Sequence, residues 1–210
     1  MAKLKAPLLS LGASGAIGKS VVFFNWKGLD VAREFVVPAN PKSTDQTTQR
    51  GYLTAAIAKI HAVQADADLP LAADDEAAYR VWASTFPTPR TWFNQAVKAW
   101  LDCKVADKVP IVYGAGACLD STHLDYRPSI YFWQETLGSL ASGKFYLGTT
   151  KTALINVKAA TLVPDQSVSL PAFGGYDNLT AGVKYFWQFR PDTGDPCEGA
   201  DSGIYCFEAT

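Results

Sequence analysis

The first regular pattern along the chain is a pair of apolar runs around a turn. Val21-Val22-Phe23-Phe24-Asn25-Trp26 is β-branched and aromatic, Lys27-Gly28 can turn, and residues 29–37 resume strand-forming side chains, so a β-hairpin is predicted. Ahead of it, Gly12, Ser14, Gly15, Gly18 and Ser20 leave residues 1–20 too flexible for a helix and predict an arm or loop. Behind it, Pro38-Ala39-Asn40-Pro41 imposes extended backbone, because each proline fixes its own φ and disfavours helix in the residue before it.

A helical period then takes over. Ser43 and Gln46 stand at capping-box spacing, and Leu53, Ala56, Ile57, Ile60 and Val63 recur at three- and four-residue steps on one face. A second helix is predicted from Asp74 and Asp75, acidic residues suited to a helix N-terminus, burying Ala78, Val81 and Trp82 and ending at Pro87. Thr88 as cap and Pro89 in the first turn open a third, whose apolar stripe is Trp92, Phe93, Ala96, Val97, Trp100 and Leu101.

After about residue 107 the texture changes to short strand-like runs punctuated by glycine, proline and aspartate. Candidate strands are 130–135, 144–149, 154–158, 167–170, 183–190 and 203–208. Tyr131-Phe132-Trp133-Gln134 and Tyr185-Phe186-Trp187-Gln188 repeat four residues, but with nothing similar around them this is convergence on strand-forming aromatics. The expected organisation is α+β: an arm and hairpin over 1–42, a helical unit over 43–106, and an all-β domain over 107–210.

Composition narrows the function classes. The 210 residues are 48% hydrophobic and 19% charged, which fits a folded chain. The net charge of −1 provides no general attraction to nucleic acid or to an anionic membrane surface. The opening Met1-Ala2-Lys3-Leu4-Lys5-Ala6-Pro7-Leu8-Leu9-Ser10-Leu11 is broken by Pro7 and Ser10 before a signal core develops, and no apolar run reaches membrane-spanning length. A protein made in a cytoplasm is expected.

Candidate chemistry is thin. Cys103, Cys118, Cys197 and Cys206 form no CxxC pair, and His61 and His123 are far apart, so no zinc site is expected. Cys197 and Cys206 bracket a loop that a disulfide could close, with free thiols favoured in a reducing cytoplasm. Gly12 to Ser20 approximates a phosphate-binding loop, but Ala13 stands where the first glycine belongs and a strand follows where a helix is needed. Asp192, Asp195, Glu198 and Asp201 fall at every third residue of a loop and are weak candidates for calcium; an exposed acidic loop is the simpler reading. His123 adjoins Ser121 and Thr122 near Asp120 and Asp125, yet adjacency does not make a triad, and no enzyme or cofactor is expected. The tryptophans sit in apolar stripes and strands and read as core; Trp26, beside the hairpin turn, is the one expected to meet a partner.

Two resemblances add to this. Leu179-Thr180-Ala181-Gly182-Val183-Lys184-Tyr185-Phe186-Trp187 resembles the fibronectin type III stretch leading into its sixth strand, with Leu179, Gly182 and Tyr185 at the family's spacing and Ala181 in place of its usual proline. Lys144-Phe145-Tyr146-Leu147-Gly148-Thr149-Thr150 looks like the third strand of such domains, and Ser202-Gly203-Ile204-Tyr205-Cys206-Phe207 like the last. The resemblance implies an immunoglobulin-like β-sandwich, with Leu179, Gly182 and Tyr185 setting one corner.

The amino-terminal elements Ser14-Gly15-Ala16-Ile17-Gly18-Lys19, Asn25-Trp26-Lys27-Gly28, residues 33–38, Asn40-Pro41 and Gln49-Arg50 are similar to a family of phage and prophage virion structural proteins. That resemblance implies a head, neck or tail accessory component that attaches through its N-terminal region, with Trp26, Lys27, Arg33 and Asn40 as partner-binding candidates. The expected partners are other virion proteins and copies of itself, as a homo-oligomer within the particle, with no nucleic acid and no membrane. The expected location is the virion, after synthesis in the host cytoplasm. Strand addition at the hairpin edges is one route of attachment. The alternative is a binding module that recognises a glycan or host surface, with Tyr176 or Trp187 as contact residues.

Overall fold

A computed structural model describes residues 2–3, 14–37, 42–88, 90–118, 126–164, 166–171 and 174–209. The described residues form three helices and three four-stranded antiparallel sheets, a mixed α+β protein of mostly β content. They divide into two compact units, Met1–Thr44 and Asp45–Thr210. No helix among them is long and apolar enough to cross a membrane.

In the first unit, β1 (Ala2–Lys3), β2 (Gly15–Ile17), β3 (Val21–Trp26) and β4 (Leu29–Glu34) make a sheet in the order β1-β4-β3-β2. The two-residue turn between β3 and β4 has positive φ at both Lys27 (50°) and Gly28 (78°), the mirror-image turn whose twist matches that of the paired strands. Asn25 Oδ1 accepts the Gly28 N–H at 3.0 Å. Residues 15–17, predicted as arm or loop, pair instead with β3. The free backbone edge of a hairpin is sufficient reason for a glycine-rich segment to join it.

The second unit opens with three helices: α1 (Thr44–Gln64), α2 (Ala73–Ala83) and α3 (Trp92–Val105). In α1 the period is right but only its C-terminal half packs: Ala56, Ile60 and Val63 are buried, whereas Leu53 is 41% exposed. α3 starts later than predicted, because Thr91 rather than Thr88 is the cap, its Oγ1 accepting the Asn94 N–H at 3.3 Å. Pro89 lies outside the described residues.

The strands that follow are β5 (Ile111–Cys118), β6 (Pro128–Gln134), β7 (Gly143–Gly148), β8 (Asn156–Ala159), β9 (Thr161–Val163), β10 (Ser167–Ser169), β11 (Lys184–Pro191) and β12 (Tyr205–Glu208). They form two sheets, β5-β6-β10-β9 and β12-β11-β7-β8. Tyr113, Ile130, Phe132 and Val168 from the first share one core with Phe145, Leu147, Trp187, Phe189 and Tyr205 from the second. The opposite side of the first sheet meets the helices. There Val112 joins Ala56, Ile60, Val63, Tyr79, Ala96, Val97 and Trp100 in a second core. Alternation along β5 thus feeds two cores, Tyr113 inward and Val112 toward the helices. The change of texture near residue 107 is the step from α3 to β5, and both lie in the same compact unit.

β5 and β9 escaped the strand prediction. β5 reads Ile-Val-Tyr-Gly-Ala-Gly-Ala-Cys, too rich in glycine and alanine for a strand by propensity. Tertiary packing requires the composition: a Cβ on Gly116 would collide with the Tyr205 ring.

Candidate functional site

The side-chain period of the first unit's sheet sorts its residues onto two faces. Register pairs Phe24 with Val31, Val22 with Arg33 and Trp26 with Leu29 on one face, and Phe23 with Ala32, Asn25 with Asp30 and Val21 with Glu34 on the other. Ile17, opposite Val21, joins the second face. Of the described residues in this unit only Val31 is buried, while Trp26 is 52% and Ile17 51% exposed. The Arg33 guanidinium lies 5.3 Å from the Phe24 ring centre, and Lys27 Nζ lies 5.9 Å from that of Trp26. Trp26, Lys27 and Arg33, predicted separately as partner contacts, therefore stand on one aromatic, cationic face. Asn40 lies outside the described residues.

Each carboxylate of the predicted acidic loop meets a donor of the chain itself. Asp192 pairs with Lys144 at 2.9 Å. Asp195 is 5% exposed, a correction to the expectation of a solvated loop. Its Oδ2 accepts the N–H groups of Ala141 (3.0 Å) and Ser142 (2.9 Å), and its Oδ1 that of Cys197 (2.8 Å), so it clamps this loop to the two residues immediately before β7. Glu198 accepts from the Gly194 N–H and from Lys108, which hold its pKa below the usual range. Asp201 stands 3.7 Å from Arg190 Nε; burial raises its carboxyl to about 6, with Arg190 opposing the rise. No cluster of three or more His, Cys, Asp or Glu suited to a metal occurs among the described residues.

Leu179, Gly182 and Tyr185 meet at one corner of the second unit. Leu179 is buried, Gly182 has φ +73° and its N–H donates to the Ala209 carbonyl at 2.8 Å. Tyr185 Oη accepts the Thr180 N–H at 3.0 Å. Tyr176 and Trp187, the contact residues of the glycan alternative, are both buried. Tyr176 Oη donates to the carbonyl of Phe145 at 2.7 Å, so its hydroxyl serves the fold.

Helix α2 crosses the side where β5 and β12 are the sheet edges. Asp75, at its third position, accepts the Ala72 N–H at 2.8 Å in its own helix, the Gly116 N–H of β5 at 3.1 Å and the Tyr205 hydroxyl of β12 at 2.7 Å. Tyr79 Oη accepts the Tyr113 N–H at 3.1 Å, and the Ile204 N–H donates to the Ala78 carbonyl at 3.0 Å. Beside this seam is a cleft of about 220 Å³ lined by Asp74, Ala77, Val81, Gly116, Trp187 and Tyr205 among others. Its lining also includes the rings of Tyr126 and Phe207 and the Cys206 thiol. The sequence marks Asp75 only as a helix-start acid; its two distant partners have no sequence signal of their own.

The tempting motifs resolve locally. His61 packs against the Phe93 ring, centroids 5.8 Å apart. His123, Ser121 and Thr122 lie outside the described residues, as do Gly12 and Ala13. Ser14 to Ser20 runs through β2 and a turn into β3, with no helix N-terminus to receive phosphate. Cys103, Cys197 and Cys206 are free thiols, the first two buried and the third exposed. No family model, curated protein or solved structure matches the chain.

Proposed function

We propose that this chain is a structural component of a phage virion, attached through its N-terminal sheet and displaying an immunoglobulin-like β-sandwich of the fibronectin type III kind. The observation that carries the attachment is the first unit's sheet, which has apolar side chains on both faces and a single buried residue, Val31, among those described. An isolated layer of this kind cannot build its own core and gains stability by covering its faces on a partner.

The sandwich reading is supported by strand order. With β5 to β12 taken in turn as A, B, C, C′, D, E, F and G, the sheets read A-B-E-D and G-F-C-C′, the immunoglobulin arrangement. The bond between Tyr185 and Thr180 supports it too, since a tyrosine near the start of strand F whose hydroxyl meets upstream backbone is a mark of that fold. The virion assignment rests on the amino-terminal resemblance.

The test is to purify particles from a culture producing an epitope-tagged chain and locate the tag by immuno-electron microscopy. Regular labelling at one particle site, lost in a folded Phe24→Ala/Trp26→Ala variant, is the expected result. A tag found only in the soluble fraction would sink the proposal.

A further inference from the structure

The first unit's sheet bears opposite charge on its two apolar faces. Arg33, with Lys27 at the turn, accompanies Val22, Phe24, Trp26 and Leu29 on one; Asp30 and Glu34 accompany Ile17, Val21, Phe23 and Ala32 on the other. Arg33 and Glu34 are consecutive, so the strand's two-residue period alone separates them.

We infer that copies of this chain stack through this sheet, the cationic aromatic face of one copy lying on the acidic face of the next. The inference rests on the proposal that the chain assembles through its N-terminal sheet, and adds which surfaces meet and in what sense. Bringing like faces together would set Arg33 toward Arg33, or Glu34 toward Glu34, inside a closing interface, where like charges are costly. Unlike faces bring apolar area and opposite charge together at once. Such a contact uses two different surfaces of each copy, so it extends into a ring or row and does not stop at a pair.

Area argues the same way. Strands of two, three, six and six residues, rising about 3.3 Å per residue and lying about 4.8 Å apart, give each face on the order of 300 Å². A stable interface covers about 800 Å² per partner. One contact is therefore weak, and an inner copy doubles its covered area by using both faces.

Analytical ultracentrifugation of the full chain up to several hundred micromolar tests this. The weight-average mass should climb with concentration beyond a dimer. Arg33→Glu cancels the charge of one face against Lys27, and Glu34→Arg cancels that of the other against Asp30; each variant alone should remain monomeric, with an unchanged circular dichroism spectrum, while their equimolar mixture should associate again through the intact cationic face of one and the intact acidic face of the other. A wild-type chain that stays monomeric, a dimer indifferent to Glu34→Arg, or a mixture of folded variants that fails to associate would overturn the stack. The two proposals fail separately: a chain monomeric in solution yet present on particles removes only the stack, and one that stacks yet never reaches particles removes only the virion role.

Discussion

The Tyr205 hydroxyl donates to Asp75 Oδ1 at 2.7 Å, joining two residues 130 positions apart. The same oxygen accepts the Gly116 N–H, so one buried carboxylate ties α2 to the edge strand of each sheet. Burial and the nearby Asp75 carboxylate raise the Tyr205 phenol well above its ordinary pKa, which keeps it protonated as a donor.

Asp75→Ala deprives three donors of their acceptor and should destabilise the protein by about 3 kcal/mol, while Tyr205→Phe, which removes one bond, should cost about 1–2 kcal/mol. Urea denaturation measures both. The double variant should cost less than the two single effects added, because the residues share an interaction. Strict additivity would show that the bond contributes nothing.

At the corner, Tyr185→Phe should cost about 1 kcal/mol, since the exposed Thr180 can turn its N–H to water. Gly182→Ala should cost about 1–2 kcal/mol, because φ of +73° crowds any Cβ. Thermal unfolding of the two variants tests the corner; an unshifted Tm in both would remove it as a determinant of the fold.

Asp201 predicts an unusual pH response. Its pKa is raised from 3.8 to about 6, by burial first, against the opposing pull of Arg190. Between those values the folded state holds more protons than the unfolded one, so this group's contribution is fully present below about pH 4 and is lost as pH rises through about 6. Asp201→Asn should therefore gain on the wild type across that window, by up to about 3 kcal/mol. Denaturation at pH 4 and pH 7 measures the gain; a constant difference would mean Asp201 titrates normally.

The thiols should react unequally. Burial pushes Cys103 up to about 11 and Cys197 up to about 12, and both are shielded, whereas Cys206 is exposed. Iodoacetamide at pH 8 should label Cys206 in the native protein and reach Cys103 and Cys197 only after denaturation. Mass spectrometry of the peptides reads the order, and native labelling of Cys197 would contradict its burial.

Much of the local structure was legible because its causes are local. Two positive-φ residues at Lys27-Gly28 make the hairpin, and the three- and four-residue spacing through Ala56, Ile60 and Val63 makes the packed half of α1. Leu53 shows where period stops being informative: it sits on the right stripe, yet it stays 41% exposed. Trp26, Lys27 and Arg33 could be picked out singly, yet only strand register shows that they share a face and that Glu34 looks the other way.

By itself, then, the sequence determined the hairpin turn, the helical stripes and most of the strands, since each depends on neighbours within a few residues. Tertiary structure alone decided that Gly116 belongs to a strand, that Asp195 is a buried clamp where a solvated loop was expected, and that Asp75 joins α2 to both sheets. Those outcomes depend on which backbone donors and rings arrive from far along the chain, and no propensity or period carries that information.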